Sequence, residues 1–136
     1  MKFKIEGAHA LVTGAGKGIG AATARRLLEA GARVSLLDVD GEALANMENE
    51  LLRAREGGGG SILARQCDLT DADHLQEVVR EIVRQHGAVD ILVNNAGIHV
   101  PGNFLDQPMV KRQKEIDVNL SAVVRLTHLL LPAMQE

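Results

Sequence analysis

The sequence predicts an α/β protein built on a parallel sheet with helices on both faces. Three observations predict it. Short apolar runs alternate with longer stretches of helical period along the whole chain. The runs are continuously apolar, as strands covered on both faces should be. A glycine-rich turn joins the first run directly to the first helical stretch. Repeated βα units of this kind fold with right-handed crossovers, which gives a doubly wound sheet.

Each element has its own signal. Ala8–Val12 is a short apolar run and reads as a strand. Ile19–Ala30 is rich in Ala, Leu and Arg and is closed by Gly31, a helix with its terminator. Val34–Leu37 is a second strand ending at Asp38. Gly41–Glu56 places Leu44, Met47, Leu51 and Leu52 at helical spacing. Gly57–Gly60 is a four-glycine connector, and Ser61–Gln66 is a third strand. Thr70 is the expected cap of a helix over Asp71–His86, which Gly87 terminates. Ile91–Val93 is a fourth strand, Pro101–Pro108 a loop, and Met109–Leu131 a long helix that Pro132 ends. The 136 residues form one domain with enough chain to bury a core.

Composition narrows the function. Hydrophobic content of 46% and charged content of 24% are those of a soluble globular chain. The net charge of −3 argues against a nucleic-acid surface. The one cysteine, Cys67, cannot form an internal disulfide, and it reads as a small buried hydrophobe. The N-terminus lacks a signal-peptide core, and the longest purely apolar run, Leu129–Met134, is too short to span a bilayer. A cytoplasmic location without membrane attachment is therefore expected. His74, His86, His99 and His128 read as solvent or loop residues whose spacing fits no metal site. With only Phe3 and Phe104 as aromatics, the core must be aliphatic.

The chemistry concentrates at the first turn. Thr13-Gly14-Ala15-Gly16-Lys17-Gly18-Ile19-Gly20 spaces Gly14, Gly18 and Gly20 as G-x-x-x-G-x-G between a strand and a helix. Such a turn brings a helix N-terminus against a pyrophosphate with no side chain in the way. It is not a P-loop, because Ile19 occupies the second glycine position and Lys17 is followed by Gly18. Asp38 lies eighteen residues beyond Gly20, at a strand end where a carboxylate meets ribose hydroxyls. The lesser alternative is a solvated turn aspartate, like its neighbour Asp40. Asn94-Asn95-Ala96-Gly97 suits a turn as well as a site, and Asn119 suits a hydrogen-bonded core position. A carboxylate at Asp38 repels a 2′-phosphate and favours NAD(H) over NADP(H). Lys17 acts in the opposite sense, but Asp38 stands on the ribose side itself.

Together these motifs resemble the short-chain dehydrogenase/reductase family, in the branch that carries T-G-x-x-x-G-x-G. The resemblance covers nearly all of this chain but only about the first half of a family member. It implies a Rossmann-type doubly wound sheet, here truncated after the fourth strand and its following helix. It also implies an NAD(P)-dependent oxidoreductase that moves hydride between nicotinamide and an alcohol or ketone. By the resemblance, Gly14, Gly16, Lys17, Gly18, Ile19 and Gly20 border the pyrophosphate and adenosine. Asp38 holds the adenosine ribose, and Asp68 and Leu69 flank the adenine. Asn95, Ala96 and Gly97 sit beside the cofactor, while Asn94 ties the central strands together. Asn119 contributes to the catalytic proton relay. The long helix at 109–131 implies a homo-oligomer, because the family often packs it against a partner subunit.

The family's catalytic serine and Tyr-x-x-x-Lys pair have no counterpart, and the chain contains no tyrosine. The chain alone is therefore expected to be inactive. A strand order of 3-2-1-4 leaves the apolar fourth strand at an edge, and Val123, Val124, Leu126, Leu129, Leu130 and Leu131 cannot all face one sheet. The expectation is that these residues are the N-terminal part of a longer protein. The alternatives are a non-catalytic dinucleotide-binding or partner-binding module, or an inactive gene product.

Overall fold

The computed structural model describes residues 4–55 and 60–136. The elements follow in the order β1 (His9–Thr13), α1 (Gly18–Glu29), β2 (Arg33–Asp38), α2 (Gly41–Ala54), β3 (Ile62–Gln66), α3 (Ala72–His86) and β4 (Ile91–Val93). A short 3-10 turn at Phe104–Asp106 precedes α4 (Met109–Ile116), a π-helical turn (Asp117–Ser121) and α5 (Ala122–Met134). The sheet is parallel, in the order β3-β2-β1-β4. Leu11 of β1 pairs with Ser35 of β2 on one side and with Leu92 of β4 on the other. This is the doubly wound arrangement expected from the alternating pattern, with β4 at an edge.

Successive strand residues point to opposite faces, so each strand feeds two cores. Ala10 and Val12, with Val34 and Leu36, meet Ala24 and Leu28 of α1 and Leu44, Met47 and Leu51 of α2. Leu11, Leu37 and Leu63 face the other way, against Leu75, Val78 and Ile82 of α3 and Leu126 and Leu130 of α5. The chain steps outward from β1 to β2 to β3 with its helices on one face. It then returns past β1 to β4 with α3 on the other. The reversal leaves a crevice between the C-terminal ends of β1 and β4, where open α/β sheets bind ligands. Cys67 is buried, and burial, with the Asp68 and Asp71 charges, pushes its thiol up to about 11. It is an inert filler, as expected.

Four local expectations are corrected. The cap of α3 is Asp71, whose carboxylate accepts the His74 N–H at 3.0 Å, and not Thr70, which instead donates to Asp68. Pro132 does not end the last helix, which runs on to Met134 with Pro132 inside it. A proline near a helix end removes one N–H from a ladder that is closing anyway. The loop at 101–108 contains the 3-10 turn. His86 is not a solvent residue: it is half-buried at the end of α3 and bonded to Ser35 and Ser61. Periodicity could not show this, because its partners lie on two distant strands. The glycine connector lies outside the described residues, except for Gly60.

The helical stretch Met109–Met134 runs 26 residues without a break. Among the described residues it is the one helix long and apolar enough to cross a membrane, with a mean hydropathy of 1.2 in its apolar window. Ala122, Leu126 and Leu130 turn into the core, while Ile116, Leu120, Val124 and Leu131 are exposed. The expectation that this helix cannot bury all its apolar residues on one sheet is therefore met.

Candidate dinucleotide cleft

The cleft lies where the strands end. It has a volume of about 390 Å³ and is lined by residues that follow all four strands. Gly14 and Lys17 come from the turn after β1, and Asp38, Val39 and Asp40 from the end of β2. Asp68 and Leu69 follow β3, and Asn95, Ala96, Gly97 and Ile98 follow β4. Lys114 and Val118 complete it from the long helix. Eight of the sequence-predicted binding residues thus share one cavity wall. Gly16, Gly18, Ile19 and Gly20 are not on that wall, though the Gly16 N–H bonds Asp38, which is.

The turn is held at van der Waals limits. A methyl group on Gly20 would overlap the carbonyl oxygen of Gly14 and the Asn95 side chain. Gly18 has open space around it but a φ of 59°, a conformation disfavoured for other residues. These two glycines let the chain turn from β1 into α1 against the end of β4. The Gly16 N–H donates to Asp38 Oδ2 at 2.8 Å, and the Asp40 N–H donates to Asp38 Oδ1 at 2.9 Å. Each carboxylate oxygen has two acceptor sites, so Asp38 keeps capacity for further donors.

Helix α1 differs from its neighbours at its N-terminus. Helices α2 and α3 are capped by the carboxylates of Asp40 and Asp71. Helix α1 has no side-chain cap and no acidic residue in its first turn. Its first N–H groups and the positive end of its dipole are left for an anion.

Asn95 performs the strand-tying role expected of Asn94. Its side-chain amide donates to the carbonyls of Thr13 (3.1 Å) and Gly14 (3.2 Å). Thr13 Oγ1 in turn accepts the backbone N–H groups of Asn95 and Ala96. Asn94 reaches only Thr127, at 3.3 Å on an exposed surface. The two asparagines are adjacent, and sequence cannot say which one points at β1.

Asn119 sits in the π-helical turn, outside the cleft wall. Its amide clamps Ile98: Oδ1 accepts the Ile98 N–H and Nδ2 donates to the Ile98 carbonyl, both at 2.8 Å. A second clamp follows. Glu115 Oε1 accepts the Val100 N–H at 2.6 Å, and Arg112 donates to the Val100 carbonyl and to Glu115 at 3.1 Å each. The Val100 N–H and then Arg112 hold the Glu115 carboxyl below the usual range. The segment after β4 is thus strapped to the long helix.

Sequence reasoning missed Arg112, Lys114, Glu115, Val118 and the full role of Asp40. Glu115 and Arg112 precede Asn119 by four and seven residues, so helical spacing from Asn119 points to them, whereas Lys114 and Val118 stand at no such spacing from it. Asp40 pairs with Lys17 at 3.6 Å. The Ala43 N–H and then the Lys17 ammonium hold its carboxyl below the usual range. The cleft wall carries three carboxylates, Asp38, Asp40 and Asp68, against Lys17 and Lys114. Asp68 is held below the usual range by the Thr70 N–H and hydroxyl, helped by Lys114.

Comparison with known proteins agrees with this geometry. A family model for short chain dehydrogenase matches residues 8–136. Oxidoreductase UcpA of Salmonella typhimurium is 38% identical over 131 residues, which are 96% of this chain and 48% of UcpA. A metagenomic short-chain oxidoreductase solved with NADP superposes with a TM-score of 0.86 at 38% identity, covering 97% of this chain and 58% of that one. A Burkholderia phymatum short chain dehydrogenase/reductase solved with NAD gives a TM-score of 0.90 at 28% identity, covering 98% and 46%. The chain spans about half the length of the curated relatives it matches.

Asn95→Ala leaves the Thr13 and Gly14 carbonyls unpaired and is expected to destabilise the fold by about 1–3 kcal/mol. Asn94→Ala should stay within about 0.5 kcal/mol. Urea unfolding of both variants checks the assignment, and the reverse ranking would restore the strand tie to Asn94.

Proposed function

The chain belongs to the short-chain dehydrogenase family, and from that premise we propose that it is the cofactor-binding portion of an NAD(P)-dependent oxidoreductase. The uncapped N-terminus of α1, opening beside a cleft that also holds Asp38, is the observation that carries this reading. The residues suit a dinucleotide. Backbone N–H groups at the start of α1, those of Gly18, Ile19 and Gly20, would receive the pyrophosphate, with Gly14 and Gly16 shaping the turn that presents them. Asp38, prearranged by Gly16 and Asp40, would accept the adenosine ribose hydroxyls. Asp68 and Leu69 would flank the adenine, and Ala96 and Gly97 would border the nicotinamide side. When bound, the nicotinamide supplies or takes the hydride. The substrate class is an alcohol or its carbonyl, in a cytoplasmic setting.

Asn119 is the residue by which this part serves the proton relay. Its side chain is spent on Ile98, so it acts as a positioning residue for the segment after β4. The tyrosine that the family uses to protonate a carbonyl oxygen has no counterpart among these 136 residues. Purified 136-residue protein should therefore show no carbonyl reduction with either cofactor. Measured turnover would overturn that inference.

The cleft charge favours NAD(H) over NADP(H). A 2′-phosphate would meet Asp38 directly, and Lys17, the cation that could receive it, is already paired with Asp40. Fluorescence titration with NADH and NADPH tests this. Asp38→Ala should weaken NADH binding about tenfold and relax the discrimination, in keeping with loss of a charged hydrogen bond. Asp40→Asn keeps a competent helix cap while freeing Lys17, and should favour NADPH selectively. An unchanged preference in Asp38→Ala would refute the ribose assignment, and no binding of either cofactor by the parent would refute the whole reading.

The exposed row Ile116, Leu120, Val124 and Leu131 supports a homo-oligomer formed through the long helix. Val124→Glu should shift the species seen by analytical ultracentrifugation toward monomer. A parent that is monomeric at high concentration would reject this interface.

A further inference from the structure

The end of the sheet opposite the cleft holds four polar side chains that the dinucleotide reading does not use. His9 and Ser35 are fully buried, and His86 and Ser61 are half-buried. His9 Nδ1 lies 2.9 Å from the Gly87 carbonyl and 3.2 Å from that of Ala88. His9 Nε2 lies 2.8 Å from Ser35 Oγ. Ser35 Oγ lies 3.1 Å from His86 Nδ1, and His86 Nε2 lies 3.1 Å from Ser61 Oγ. The rings meet edge to face, with centroids 5.3 Å apart.

Hydrogen-bond capacity fixes the direction of every link. Carbonyls only accept, so His9 Nδ1 carries its proton. In a neutral ring Nε2 is then an acceptor, and the Ser35 hydroxyl donates to it. Ser35 has one proton and has used it, so His86 Nδ1 must donate to Ser35. His86 Nε2 is then the acceptor, and Ser61 donates to it. With both rings neutral, only this arrangement satisfies all the contacts.

We infer that Ser61, His86, Ser35 and His9 form one directed hydrogen-bond chain that latches the start of the sheet to the end of α3, and that acid opens it. Three strands are joined: His9 is on β1, Ser35 on β2, and Ser61 immediately precedes β3. Arg33 of β2 reinforces the same end by donating to the His86 carbonyl and, at 3.3 Å, to that of Gly7.

A first proton is tolerated. Placed on His86 Nε2, it reverses only the last link, and Ser61 becomes the acceptor. A second proton, on His9 Nε2, leaves two imidazolium N–H groups aimed at one serine oxygen. The Ser35 proton then has no partner in the chain, and two adjacent cations are partly buried.

The surrounding charges oppose protonation. Arg33 faces both rings from β2, and Arg65 of β3, paired with Glu81 of α3, faces His86. The Gly87 and Ala88 carbonyls on His9 Nδ1 act in the other direction, as does the charge of Asp90, in the loop before β4, which also accepts the His9 backbone N–H at 2.8 Å. Burial, the largest influence, holds both imidazoles below the usual 6.5. The unfolded chain therefore takes up protons that the folded chain resists. Stability is fully present above about pH 6.5 and falls as the pH drops below it. Asp40, Asp68, Glu81 and Glu115 are held below the usual carboxylate range, so they stay charged in this window.

Nitrogen NMR of the full chain, labelled at histidine, tests the inference, with His9→Gln and His86→Gln assigning the signals. At pH 8 both rings should carry their single proton on Nδ1. The urea midpoint should fall between pH 7.5 and 5, with the unfolded chain binding between one and two protons more than the folded chain. A ring protonated on Nε2 at pH 8, or a flat midpoint, would overturn the latch. Ser35→Ala should release His86 from the Nδ1–H form. Should that variant not fold, Ser61→Ala at the more open end supplies the test. It should shift the His86 Nε2 signal and leave His9 on Nδ1, and an unmoved His86 signal would break the chain at that link.

Discussion

The contact on which the rest of the structure depends is the one where the turn after β1 meets the end of β4. Gly20, Gly14 and Asn95 approach so closely there that no additional carbon fits at Gly20. The approach lets Asn95 bond the Thr13 and Gly14 carbonyls, which joins two strands at the point where the sheet reverses its winding. It also sets the direction in which α1 leaves the sheet, and so where its uncapped end points. Moving this contact would displace the cleft wall on three sides. The cores on the two faces of the sheet are less demanding, because aliphatic residues of similar volume can replace one another with modest loss.

Much of this was legible in the sequence, and the reason is periodicity. Continuous apolar runs and helical spacing are local signals, and they located all four strands and the helices around them. The strand order came with the family resemblance, because handedness fixes the side of each crossover and not which strand lies beside which. The glycine turn and Asp38 were legible because their chemistry depends on spacing along the chain. The illegible parts depend on which way a side chain points. Asn94 and Asn95 are equivalent as text, and only the fold decides which one faces β1. Thr70 and Asp71 are both good caps, and Asp68 engages the first and leaves the second to the helix. His86 looked solvent-facing because its partners, Ser35 and Ser61, are distant in sequence.

The cleft and the histidine chain occupy opposite ends of the same strands, and they satisfy polar groups in opposite ways. At the cleft, donors are left open, and the first turn of α1 has no internal partner. At the other end every ring nitrogen of His9 and His86 has a partner: the serines donate to the two Nε2 atoms, and the two Nδ1–H groups donate onward. An end that must accept a ligand is kept unsatisfied. An end without that demand can be closed with hydrogen bonds, which fix the strands relative to one another.

The π-helical turn at Asp117–Ser121 has a consequence for the long helix. An added residue in a turn rotates everything before it by about 100° relative to everything after it. Lys114, before the turn, and Val118, within it, line the cleft. Beyond it, Ala122, Leu126 and Leu130 look into the core. These five residues form one series four apart, which a regular helix would carry round its axis by about 40° at each step, and the wider turn counters that drift. The wide turn thus keeps one stripe in line, so that a single rod reaches from the cleft to the core. Deleting one residue there would leave the helix intact and misdirect half of it.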